Sequence, residues 1–124
     1  MTRRPSDAHL AAVVFAGGVV GVLARAGAEE VLASGGPGWP WATLGVNLIG
    51  ALLLGWASVT LAERPVRRQL VCTGFCGALT TFSTFQLELY RMVDAGRVGT
   101  ALLYAAVSLV AGMAAAVGGR RLAR

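Results

Sequence analysis

The chain has 124 residues, of which 56% are hydrophobic and 14% charged, with a mean hydropathy of +0.66, whereas soluble domains carry about 25% charged residues. That balance excludes an ordinary water-soluble domain and points to the bilayer as the solvent. The net charge of +5 comes from 11 basic residues, all arginine, against 6 acidic ones; all the arginines but Arg25 stand at or between the ends of apolar runs, so membrane orientation explains them and no nucleic-acid partner is implied.

Four apolar runs can be drawn, at about residues 10–32, 41–61, 70–90 and 98–118, each near the ~20 residues needed to cross a hydrocarbon core. They predict an all-α integral membrane protein, a single four-helix transmembrane domain over residues 1–124. The links are a turn-rich segment at 33–40, a charged one at 63–68 with Pro65, and one at 91–97 with Asp94 and Gly96. Links this short make neighbouring helices antiparallel.

The first run follows Arg3 and Arg4 and contains Ala24-Arg25-Ala26, the small-residue pattern of a signal-peptide cleavage site. Its apolar character continues to Leu32 and three further runs follow, so a retained helix is expected. Gly17 and Gly21 have the spacing that lets helix backbones approach closely in lipid. Arg25 lies inside the run with Glu29 one turn later; it can snorkel, pair with Glu29, or anchor a polar vestibule.

In the second run Asn47 is a primary amide between Val46 and Leu48. A buried amide either joins helices or lines a path. Trp39 and Trp41 before it, and Tyr90 at the end of the third run, are expected to anchor span ends at the headgroup level.

The third run holds Cys72 and Cys76 on one helix face. With His9 far away and no further cysteine, they are expected to pack as small hydrophobes rather than bind metal. Thr80, Thr81, Ser83 and Thr84 then place four hydroxyls beside Phe82 and Phe85 near the middle of the run. Two arrangements are open: hydroxyls bonded back within an intact helix, or a break that frees carbonyls for a cation and turns the rings toward a polar path. Glu88 is either an interfacial carboxylate or part of a polar track, which Tyr104 and Ser108, sharing one face of the fourth run, would extend. No phosphate loop, nucleophile–base pair or metal-ligand cluster is present, so no enzymatic activity is expected.

At these residues the chain resembles the CrcB/Fluc fluoride channels, from Phe15 to Gly118. Gly17-Gly18-Val19-Val20-Gly21 with Arg25 is similar to that family's first helix, and the stretch from Trp41 to Gly50, with Asn47, to its second. The specific match is Gly74-Phe75-Cys76-Gly77-Ala78-Leu79-Thr80-Thr81-Phe82-Ser83-Thr84-Phe85 followed by Glu88.

The resemblance implies a third helix broken near its middle and an antiparallel, dual-topology dimer with two fluoride pores and a central structural sodium ion. It implies that Phe82 and Phe85 line the pore, that Asn47 donates to fluoride, that Gly77 and Thr80 offer backbone carbonyls to sodium, and that Ser83 or Thr84, Glu88, Tyr104 and Ser108 form the polar track. Arg25 would anchor the vestibule. Where family members often carry a second serine one turn after Ser108, this chain has Gly112. The implied function is passive fluoride export across the plasma membrane. An aromatic edge is positive, so the two rings can meet a small anion edge-on.

Two other readings compete. Small multidrug exporters are also four-helix, dual-topology proteins, but they need a carboxylate deep in the first helix, and no acid precedes Glu29 within this first run. A non-conducting subunit of a heteromeric fluoride channel would keep the same pore residues. Arginine placement bears on assembly: Arg3, Arg4, Arg64, Arg67, Arg68, Arg120, Arg121 and Arg124 fall on the side of the termini and only Arg91 and Arg97 on the other. That bias predicts cytoplasmic termini and hence either a homodimer or, more in keeping with the bias, a heterodimer with an oppositely oriented paralogue.

Overall fold

A computed structural model describes residues 5–32 and 38–124. Arg3, Arg4 and most of the predicted link at 33–40 lie outside the described residues. All regular structure among the described residues is helical. Helix α1 (Asp7–Leu32) begins at Ser6, whose Oγ accepts the His9 N–H at 3.3 Å, and Asp7 in the first turn complements the helix dipole. Helix α2 is Trp41–Thr60.

Helix α3 covers residues 65–79, opening on Pro65, whose missing N–H is no loss in a first turn. Its stretch Gln69–Cys76 is wound as a π-helix. Helix α4 (Ser83–Asp94) closes at Gly96, with φ of 74°. There the Arg97 N–H reaches the Met92 carbonyl at 2.8 Å and the Gly96 N–H the Val93 carbonyl at 2.9 Å, a Schellman stop that only a left-handed residue completes. Helix α5 is Val98–Leu122.

Four helical stretches, Asp7–Leu32, Trp41–Thr60, Pro65–Asp94 and Val98–Leu122, are long and apolar enough to cross a membrane. Helix therefore begins inside the charged link, at Pro65, and runs beyond the last apolar run to Leu122. Helical geometry needs backbone bonds rather than apolar side chains, so helices overrun the hydrophobic runs.

Glycines decide which helices touch. A side chain at Gly17 would meet the Leu70 carbonyl and one at Gly21 the Phe75 carbonyl, so contacts advance together along α1 and α3 and the two run parallel. Likewise Gly55 rests on the Ala116 backbone and Gly119 on Leu52 and Trp56, while Thr43 and Tyr104 share a partner at the other end, so α2 and α5 are parallel. The spacing at Gly17 and Gly21 thus serves packing inside one chain. Backbone-to-backbone approach of this kind replaces the hydrophobic drive that lipid removes.

The buried cluster of Leu44, Met92, Ala101 and Tyr104, flanked by Trp39, Leu48, Phe85, Leu89 and Val107, lies where α2, α4 and α5 meet. Trp39 packs inward: its ring stands edge-on to Tyr104 at 5.4 Å and lies against the core. Trp41 and Tyr90 are each 66% exposed. Outward-facing Phe15, Leu102, Leu109, Val110 and Met113 leave apolar flanks that water cannot cover favourably.

Candidate functional site

The site is built around the interval between α3 and α4. Thr80 has φ −77° and ψ 151°, so the backbone turns extended there before Phe82 returns to helical geometry. Three hydrogen bonds account for the departure. Thr81 N–H donates to Asn47 Oδ1 at 2.8 Å, and Asn47 Nδ2 donates to the Thr81 carbonyl at 3.0 Å. Thr84 N–H donates to Thr81 Oγ1 at 3.2 Å, which caps the start of α4.

In an unbroken helix the Thr81 N–H would close on the Gly77 carbonyl and the Thr84 N–H on the Thr80 carbonyl. Both N–H groups are diverted, to Asn47 and to the Thr81 hydroxyl, so the carbonyls of Gly77 and Thr80 lose their helical donors. Thr80 itself stays tied to the preceding turn, its N–H and its hydroxyl both reaching the Cys76 carbonyl, at 3.1 and 3.0 Å. A side chain at Gly50 would strike the Thr80 methyl, so α2 also seats the turn sterically.

A groove of about 490 Å³ opens beside this turn. Asn47, Thr80, Thr81 and Ser108 give it polar groups, Leu44, Leu48, Phe82, Phe85, Ala105 and Leu109 give it apolar walls, and Gly112 also lines it. The Phe82 and Phe85 rings lie 5.9 Å apart, and Phe85 is 5.1 Å from Tyr104. Phe85 is half-buried against the core, whereas Phe82 is 69% exposed. Asn47 has four hydrogen-bonding capacities; its two bonds to Thr81 leave one amide hydrogen unassigned.

A second groove, about 520 Å³, lies toward Glu29, Arg91 and Arg97, and Thr43, Thr84 and Glu88 line it. Glu88 is held from two helices: Thr43 Oγ1 donates to Oε1 at 2.6 Å and Tyr104 Oη to Oε2 at 2.7 Å. Thr81 belongs to the first groove and Thr84 to the second, and the Thr81 hydroxyl donates to that of Thr84 at 3.0 Å, with Ser83 Oγ 3.4 Å from Thr81 Oγ1. One hydroxyl pair, Thr81 and Thr84, thus stands between the two grooves.

Of the residues singled out in the sequence, Asn47, Ser83, Thr84, Phe82, Phe85, Glu88, Tyr104 and Ser108 converge on these grooves or their hydrogen bonds. Arg25 does not: it is half-buried on α1, lines neither groove, and forms no ion pair with Glu29, whose Oε1 is buried without a hydrogen-bond partner among the described residues. Thr43, which bonds Glu88 and lines the second groove, is the candidate-site residue that the sequence reading passed over. It sits four residues before Asn47, on the same helix face, and that spacing is the signal that could have found it.

Residues 12–120 match the model of the family described as "CrcB-like protein, Camphor Resistance (CrcB)". The chain belongs to the CrcB family. Relatives include a protein named fluoride-specific ion channel FluC 1 from Mycolicibacterium paratuberculosis, 49% identical over 109 residues, which cover 84% of this chain and 82% of that one. Another, named fluoride-specific ion channel FluC, from Stutzerimonas stutzeri, is 41% identical over 125 residues, covering 94% of this chain and 98% of its own length. A third of that name, from Chlorobaculum tepidum, is 40% identical over 116 residues, covering 90% and 92%. The CrcB match spans all four apolar helices, and this CrcB chain is a multi-pass membrane protein.

Proposed function

We propose that this chain forms a fluoride-selective ion channel that lets fluoride leave the cytoplasm passively and so protects the cell from it. The observation that carries the reading is the groove in which Asn47, Thr81 and Ser108 face Phe82 and Phe85, taken with relatives named as fluoride-specific channels over most of the chain's length. Fluoride is small and strongly hydrated, so it must meet donors wherever it sheds water. The free amide hydrogen of Asn47 and the hydroxyls of Thr84 and Ser108 are such donors, and ring edges of Phe82 and Phe85 present weak positive charge in a narrow apolar wall. No arginine stands in the groove to hold the anion too tightly, which conduction requires. The ion passes along the Thr81–Thr84 hydroxyls to the Glu88 groove, where Tyr104 and Thr43 keep the carboxylate oriented.

The working unit is an antiparallel dimer. Phe82, large and apolar, is mostly exposed in the single chain, and the apolar flanks of α1 and α5 offer surface for a partner. A structural sodium ion fits the Gly77 and Thr80 carbonyls, because those oxygens are released from the helical ladder and oxygen ligands suit a hard cation. When bound, sodium supplies positive charge that satisfies carbonyls otherwise left without donors. The chain, purified from cells together with any oppositely oriented paralogue it holds, tests the function in fluoride-loaded liposomes with a fluoride electrode. Fluoride efflux without a proton gradient, with chloride retained, is the expected result; equal chloride flux or dependence on a proton gradient overturns it.

A second reading concerns assembly. The eight arginines on the side of the termini against two on the other favour cytoplasmic termini. A chain inserted one way needs an oppositely oriented paralogue to form an antiparallel pair, so the heterodimer is the favoured assembly.

A further inference from the structure

At the end of α5, Arg120, Arg121 and Arg124 stand around one cleft of about 260 Å³, whose remaining wall is Val117. Val117 precedes Arg120 and Arg121 by three and four residues, and Arg124 follows them by four and three, so all four side chains share one helix face. The arginines are exposed, and none forms an ion pair among the described residues. Arg120 and Arg121 complement the dipole of the last turn. That accounts for positive charge, but it leaves the guanidinium N–H groups, five on each, without acceptors from the described residues. Like charges at these spacings repel. An anion between them removes that cost, and phosphate oxygens match the guanidinium fork.

Val117 decides the rest of the ligand. It is 47% exposed and lies one turn nearer the membrane interior than the arginines, on a helix long and apolar enough to cross a bilayer. An occupant of the cleft therefore carries a phosphate at the level of the guanidiniums and hydrocarbon beneath it, the build of a phospholipid rather than of a soluble anion. The cleft begins a turn past Met113, the last of the outward residues of α5 offered above to a partner chain. We propose that Arg120, Arg121, Arg124 and Val117 form a binding site for the phosphate of an anionic phospholipid, in the leaflet on the side where α1 begins and α5 ends. The site depends on the chain spanning a membrane, not on its conducting fluoride. Each arginine near an anionic surface contributes about fivefold to association, so three give about a hundredfold at low salt.

The test is native mass spectrometry of the purified assembly in detergent, titrated with phosphatidylglycerol, phosphatidylcholine or inorganic phosphate. Wild type should retain phosphatidylglycerol at least about tenfold more strongly than phosphatidylcholine; equal retention overturns the site without recourse to any variant. The triple variant Arg120→Gln/Arg121→Gln/Arg124→Gln should lose about tenfold or more of that retention. A charge-matched control, Arg64→Gln/Arg67→Gln/Arg68→Gln, removes three arginines from the link on the same side and should stay within about threefold of wild type. Equal loss in both triples would mean a diffuse positive surface and no site. Val117→Glu keeps every arginine and sets a carboxylate among them; it should cost about tenfold in phosphatidylglycerol, and undiminished retention there also overturns the proposal. Inorganic phosphate that displaces phosphatidylglycerol at equal concentration would make this a site for the free anion. An α5 triple variant whose assembly falls apart before lipid is added would make the cluster an assembly contact, and either result defeats the lipid site.

Discussion

Asn47 and Thr81 grip one another through both halves of a peptide-like pair: the amide nitrogen donates to the Thr81 carbonyl at 3.0 Å and the amide oxygen accepts the Thr81 N–H at 2.8 Å. Helix α2 thereby takes over the bonds that α3 would have made to itself. One side chain thus holds open the turn, releases the Gly77 carbonyl, and still has a hydrogen to offer to the groove.

Asn47→Ala removes both bonds and leaves a buried N–H and carbonyl unpaired. A loss of about 1–3 kcal/mol in stability is expected, seen as a lower melting temperature in detergent, together with fluoride efflux reduced at least about tenfold, the effect of about 1.4 kcal/mol on the barrier. Unchanged melting and unchanged flux would show that the pairing at Thr81 has no consequence.

The two phenylalanines are expected to separate stability from transport. Phe82→Ile alters a ring that is mostly exposed within the single chain and should slow fluoride strongly while folding and assembly are kept. Phe85→Ile also loses the ring contact with Tyr104 and should cost a further ~0.5–1.5 kcal/mol. Wild-type efflux in both variants, with normal expression, would make these rings packing residues.

Glycine contacts predict a positional contrast. Gly55→Ala forces a methyl into the Ala116 backbone, where overpacking costs about 1–3 kcal/mol. Gly27→Ala meets nothing within 4 Å in mid-helix, and replacing glycine by alanine there should be neutral or stabilising by up to about 1 kcal/mol. Thermal unfolding of the two variants side by side checks it, and equal behaviour would mean that α2 and α5 do not approach as described.

Orientation can be read in cells by labelling single cysteines introduced at each terminus after Cys72 and Cys76 are replaced. With eight arginines on one side and two on the other, both termini should be cytoplasmic in the great majority of molecules. Purified chain would then conduct only with an oppositely oriented partner. An even mixture of orientations, with flux from the chain alone, would establish a homodimer.

Much of the site was legible in the sequence because polar groups inside apolar runs are expensive and therefore conspicuous. Asn47, the hydroxyls from Thr80 to Thr84, Glu88, Tyr104 and Ser108 all stood out that way, as did the four helices themselves. What the sequence left open was whether the hydroxyls bonded back within an intact helix. Thr80 does bond back, to Cys76, while Thr81 turns forward to cap α4; two adjacent threonines take opposite roles, and local propensity does not distinguish them.

Tertiary structure alone decided which groups meet. Hydropathy marks a span but carries no sign for its faces, since lipid and a neighbouring helix are equally apolar; the parallel pairing of α1 with α3 and α2 with α5 follows from where glycine backbones can touch. That pairing brings Asn47 to Thr81 and sets Thr43 and Tyr104 on the two oxygens of Glu88. It also draws Trp39 against Tyr104 and leaves Arg25 away from both grooves. The sequence determined the spans and the chemistry available within them. The close approach of helices, a matter of backbone geometry rather than residue type, determined which of those groups became a site.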